Sequence, residues 1–141
     1  MKTEKVLVII AIIGIFLKMF HVPGGAPLLV LSLLILALLY FPLGFYFLSD
    51  KSYKENTVTS IVFGWLLSVC FIGIMFRIMH WPGAKMMNFI GALTALPLTI
   101  FVYFKYKDAT LENKIYFRNL LIRSTVLLIL SVLLSFIILP F

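Results

Sequence analysis

Five apolar runs, nearly free of charge, take up most of this chain: roughly residues 6–21, 26–48, 57–80, 86–104 and 119–139. A membrane-crossing helix needs about 20 apolar residues, within a range of about 17–25. Lipid offers a lone segment no partner for its backbone, so each run is expected to be a helix. The chain is 63% apolar and 12% charged, against about 25% charged in soluble domains. That polar content is too small to cover a core of 141 residues with a water-facing surface. The expected fold is therefore all-α: a single membrane domain over 1–141, with five transmembrane helices. Lys2 and Lys5 followed by an apolar stretch imitate a secretory signal. Lys18 and His21 interrupt it where small cleavage-site residues would belong, so the segment reads as a retained first helix. The net charge of +7 does not indicate nucleic acid, because the basic residues punctuate apolar runs instead of sharing a polar face. A single cysteine, Cys70, can form no internal disulfide.

A motif occurs twice. Gly14, Lys18, His21, Pro23 and Gly24 recur as Gly73, Arg77, His80, Pro82 and Gly83, all at an offset of 59 residues. Each copy ends one apolar run and opens the next. The chain therefore reads as two repeated helical hairpins, 5–48 and 57–104, followed by one extra helix at 119–139. Proline removes a backbone donor and disfavours helix in the residue before it, so each helix should stop near its His. The glycine after it supplies a turn dihedral other residues avoid.

The other connections, 49–56 and 105–118, are charged. With five spans, one side receives Lys2, Lys5, Lys51, Lys54, Lys105, Lys107, Lys114, Arg118 and Arg123; the other receives Lys18, Arg77 and Lys85. This asymmetry places the N-terminus in the cytoplasm and the C-terminus outside. All five acids, Glu4, Asp50, Glu55, Asp108 and Glu112, then fall on the cytoplasmic side. Small residues mark close helix contacts: Gly14 and Gly73 in the motif, Ser60, Gly64 and Ser68 on the third helix, Gly91 and Ala95 on the fourth.

Gly14, Lys18 and His21 share one helix face, as do Gly73, Arg77 and His80. In one reading the motif is a helix stop with an interfacial anchor. The cation meets the carbonyls at its own helix end or snorkels to lipid phosphate, and Trp81 sits at the interface. In the other, Lys18, His21, Arg77 and His80 form a polar site that holds an anion, a lipid head group or a partner's carboxylate, or relays protons, membrane-embedded cations being functional candidates. Two histidines fall short of zinc's usual four ligands, so no metal is expected. No nucleotide-binding loop, zinc-protease helix or Ser/His/Asp set is present.

The cation, two residues, His, one residue and Pro-Gly, after a short apolar helix, resemble the first membrane hairpin of GldL, an inner-membrane component of the Bacteroidota gliding and type IX secretion motor. Arg77, His80, Trp81, Pro82 and Gly83 are the closer copy; Lys18, His21, Pro23 and Gly24 are a variant of it. The resemblance implies a bacterial inner-membrane location, a cytoplasmic N-terminus and kinship with a proton-driven motor. It maps the family's channel Lys and His onto Lys18 and His21, and onto Arg77 and His80. The family also carries a membrane Glu in the second helix of its hairpin; stretches 31–46 and 90–103 hold no acid.

The expected function is accordingly that of a small polytopic, GldL-like, non-enzymatic component of a membrane assembly, related to gliding or secretion motors. Its partners would be the lipid bilayer and homo- or hetero-oligomeric membrane partners, with no cofactor and no nucleic acid. The alternative is a small channel or transporter for protons or an anion that uses the cationic outer site.

Overall fold

The computed structural model describes residues 2–48 and 57–137. Among them the chain is entirely helical apart from short turns. The five helices are α1 (Lys2–Met19), α2 (Gly25–Leu48), α3 (Thr57–Met79), α4 (Ala84–Asp108) and α5 (Leu111–Phe136). The charged connection at 49–56 and the end of the last apolar run lie outside the described residues.

Three helical segments are long and apolar enough to cross a membrane: Val58–Met79, Ala84–Asp108 and Asn113–Phe136. Their surroundings fit lipid better than water. Phe16, Leu31, Leu38, Trp65, Phe89, Leu93 and Phe101 are all exposed, spread over four helices, whereas a soluble monomer rarely shows large contiguous apolar area.

α3 is the central element. It packs against α2, α4 and α5, while α1 packs along α2 and α5 packs along α4. About 56% of its apolar window is buried, against 28% for α4 and for α5, so α3 is more enclosed than either. Ser60 and Ser68 are almost fully buried on it, and Gly64 between them is buried too. The Ser60 hydroxyl hydrogen-bonds the Tyr116 hydroxyl of α5. Cys70 Sγ lies 3.8 Å from the Leu127 carbonyl, and Arg77 reaches the Leu134 carbonyl. These three contacts ascend both helices in the same order, so α3 and α5 run parallel.

The connection expected at 105–118 is not a loop. α4 continues to Asp108, α5 begins at Leu111, and only Ala109 and Thr110 lie between them. The extra helix therefore starts eight residues before the expected 119. Hydropathy marks where hydrocarbon ends, but a helix satisfies its own backbone in water as well as in lipid and continues through charged residues. Tyr116, Phe117 and Leu120 are buried in this extension. Its lysines lie over aromatic rings: Lys105 on Phe101 at 5.9 Å, Lys107 on Tyr103 at 5.7 Å and Lys114 on Tyr106 at 5.5 Å.

Each hairpin crosses at the same place. A Cβ on Gly14 would meet the Leu29 Cα at 3.0 Å, and one on Gly73 would meet the Asn88 Cα at 3.1 Å and the Met87 carbonyl oxygen at 2.8 Å. Leu29 and Asn88 are themselves 59 residues apart. Glycine at 14 and 73 is what lets the two backbones of each hairpin approach so closely. Gly91 meets the Cys70 Cα at 3.0 Å in the same way, and Ala95 beyond it is fully buried.

Candidate functional site at the duplicated helix ends

The two turns have one backbone. His21 N–H donates to the Lys18 carbonyl at 3.1 Å and Val22 N–H to the Leu17 carbonyl at 2.9 Å; His80 N–H donates to Arg77 at 3.4 Å and Trp81 N–H to Phe76 at 3.2 Å. This crossed pair of bonds is a Schellman stop, whose defining feature is a left-handed residue just past the helix. The left-handed residue is the histidine in both copies, with φ 55° at His21 and 54° at His80. Glycine is the usual occupant. Histidine is among the few side chains enriched there, at a cost of roughly 1–2 kcal/mol for leaving the right-handed region. Pro23 and Pro82 follow and block any continuation of the helix. Gly24 and Gly83, at φ 100° and 81°, then turn the chain into α2 and α4. Trp81 folds back onto its own helix, its ring edge-on to Phe76 at 5.0 Å between centroids.

Both cations reach beyond the helices that carry them. Lys18 Nζ, on α1, donates to the Ile78 carbonyl in the last turn of α3 and lies 3.6 Å from Met79 Sδ. Arg77, on α3, donates from Nε to the Leu134 carbonyl at 2.7 Å and from Nη2 to the Ser135 carbonyl at 3.4 Å, in the last turns of α5. Each cation thus reaches carbonyls in the last turns of the next odd-numbered helix, at the negative end of its dipole. The contact to a neighbour's helix end goes beyond own-helix capping, the simplest inference from a cation in the last turn.

The histidines are exposed at their turns. Each turn forms its own hollow. One, about 270 Å³, is lined by Lys18, His21, Val22, Pro23, Gly24 and Ala26. The other, about 470 Å³, is lined by Arg77, His80, Trp81, Gly83 and neighbouring residues of α4. The four polar side chains are therefore distributed between two separate hollows. Among the described residues no three His, Cys, Asp or Glu side chains gather as metal ligands would.

Two polar clusters were not anticipated. Glu4 and Arg123, read from sequence as cytoplasmic flank charges, face each other inside the bundle. Arg123 Nε donates to Glu4 Oε1 at 3.0 Å and Nη2 to Oε2 at 2.8 Å, a bidentate pair with both side chains mostly covered. The Tyr40 hydroxyl, on α2, donates to the same carboxylate. Glu4 is fourteen residues from Lys18, or about 21 Å along α1 at the helical rise. The signal was present: Arg123 is a lone cation inside an apolar run, a pattern that marks a partnered group within a membrane. The second cluster joins α4 to α5. Buried Asn88 donates from Nδ2 to the Ser131 carbonyl at 2.9 Å and to Ser135 Oγ at 2.8 Å, and accepts from Ser131 Oγ at 2.9 Å. Asn88 occupies the place of Leu29 in the first hairpin, so only the second hairpin carries this interhelical bond set.

No protein-family model matches the chain, and no curated protein or solved structure is significantly similar to it.

Proposed function

We propose that the chain is a small five-span protein of a bacterial inner membrane, N-terminus in the cytoplasm and C-terminus in the periplasm. It acts as a GldL-like, non-enzymatic component of a membrane assembly related to gliding or secretion motors. The observation that carries this reading is the use made of the duplicated cations. Both are spent on fastening helix ends, α1 to α3 and α3 to α5. Among the described residues every buried side-chain nitrogen or oxygen has a hydrogen-bond partner. Such an interior suits a rigid element that works through helix association better than one that hands a solute along a path. The broad apolar exterior leaves room for both lipid and partner helices.

The test is co-purification in mild detergent from native membranes. A stoichiometric membrane partner, or a defined homo-oligomer, is the expected result. Recovery as a monomer with no partner would remove the assembly role.

A second reading, a proton channel, draws support from Glu4, Tyr40 and Arg123, which put ionisable groups far from the Lys18 turn. The bidentate pairing of Glu4 argues against it, since a proton carrier must exchange its proton readily. Proton flux into liposomes under an imposed potential, abolished in Glu4→Gln, would promote the channel reading; the expected flux is that of empty liposomes.

A further inference from the structure

α1 is held unevenly. It packs along α2, but it is tied to α3 through Lys18 near one end and to α5 through Glu4 and Arg123 near the other. Between these ties a cleft of about 290 Å³ runs lengthwise. Val8, Ile12 and Ile15 of α1 form one wall and Ile122, Val126 and Leu130 of α5 the other, with α2 and α3 as the floor.

Its dimensions select the occupant. From Glu4 to Ile15 is eleven residues, or about 16 Å at the helical rise. Counting all the space between the walls, about 870 Å³, the mean cross-section is roughly 54 Å², whereas a helix about 10 Å across needs about 80 Å². A helix of a second copy or of a partner does not fit, while one extended hydrocarbon chain does. Val8, Ile12 and Val126 are exposed along the rim, so the cleft opens sideways to the bilayer from which such a chain would come.

The polar end is equally specific. The cleft meets a wider hollow of about 630 Å³ lined by Glu4, Lys5, Val8, Ile9, Asn119, Ile122 and Arg123. Glu4 and Arg123 neutralise each other. Lys5 remains as one positive charge, and the exposed amide of Asn119 lines the same hollow. A phosphodiester carries one negative charge and several acceptor oxygens, which complements that pair.

We infer that the cleft between α1 and α5 binds one phospholipid, an acyl chain lying between the two helices and the phosphate held by Lys5 and Asn119. The inference rests on the membrane reading but not on any partner. Bulk lipid tails are as apolar as the cleft walls, so preference for this site comes from close packing on the helix faces and from the headgroup contacts.

The test is native mass spectrometry of the full chain released from detergent micelles, with phospholipid of known mass present. The parent should carry one phospholipid per chain. Val126→Trp, which fills the cleft from its exposed rim, should lose it; Leu93→Trp, on the exposed face of α4, should keep it. Lys5→Glu should lose it too, and retention there would overturn the phosphate assignment. A parent without lipid, or Val126→Trp with undiminished lipid, would overturn the site. Circular dichroism verifies that each variant is folded, and resistance to alkaline extraction reads membrane insertion separately, so failure of the site and failure of the membrane reading are distinguishable.

Discussion

If Arg77 caps α5 and not its own helix, then Arg77→Met should loosen the last turn of α5 and leave the last turn of α3 intact. The magnitude follows from the two bonds. The 2.7 Å contact from Nε to the Leu134 carbonyl is charge-assisted, a class that contributes about 1.5–3 kcal/mol. The 3.4 Å contact to Ser135 is long and adds little. Arg77 is only partly buried, so its removal restores little desolvation energy, and a net local loss of about 2 kcal/mol is expected. Backbone amides in the last turn of α5 should then exchange roughly thirtyfold faster, since about 1.4 kcal/mol corresponds to a factor of ten. Hydrogen exchange read by mass spectrometry on a peptide covering 132–137 measures this. Arg77→Lys should recover part of the protection, because a point charge keeps the dipole interaction but not the planar fork. Lys18→Met makes the matching statement one step earlier: faster exchange near Ile78 and Met79, with the end of α1 unchanged. Faster exchange at the end of the mutated helix itself, with the next odd helix unaffected, would refute the cross-helix capping argument.

Two further outcomes follow from the hairpins. Gly73→Ala should cost about 1–3 kcal/mol, and more than Gly14→Ala, because the new methyl meets a backbone oxygen at 2.8 Å in the second hairpin and nothing nearer than 3.0 Å in the first; thermal unfolding in detergent orders the two variants. His21→Gly should raise thermal stability by up to about 1 kcal/mol, since glycine occupies the left-handed position without strain and gives back only part of that gain through the unfolded chain. A loss of stability in His21→Gly would show that the imidazole makes contacts worth more than its backbone strain.

The helix ends at the duplicated turns were legible in the sequence because they are local. Pro23, Gly24, Pro82 and Gly83 stop and redirect the chain wherever it folds, and the spacing of Gly14, Lys18 and His21 needs only the helical period. What escaped depended on distant partners. Lys18 lies next to the carbonyls of its own helix in sequence, yet its acceptor is sixty residues away. Glu4 and Arg123 are separated by 119 residues, and no local pattern pairs a first-turn acid with a cation late in the chain. The connection at 105–118 was misplaced for a different reason: charge was taken to end a helix when it ends only the apolar segment. Asn88 shows the limit of the repeat itself. The offset of 59 predicts its place in the hairpin but not its chemistry, because Leu29 at the same place faces no counterpart of Ser131 and Ser135.

The cross-helix caps also give the extra helix a place in the repeat. Each hairpin contributes a cation near the end of its first helix, and that cation needs the end of a further helix, parallel to the first, on which to act. For Lys18 the acceptor is α3, the first helix of the second hairpin. For Arg77 the acceptor is α5, which runs parallel to α3 and is offset from it by nearly the repeat length. Without α5, Arg77 would lose its carbonyl acceptors, and the Asn88 amide and the Ser60 hydroxyl would lose partners buried with them. Within the apolar part of α5 the position 59 residues beyond Arg77 is Phe136, which carries no charge to pass on.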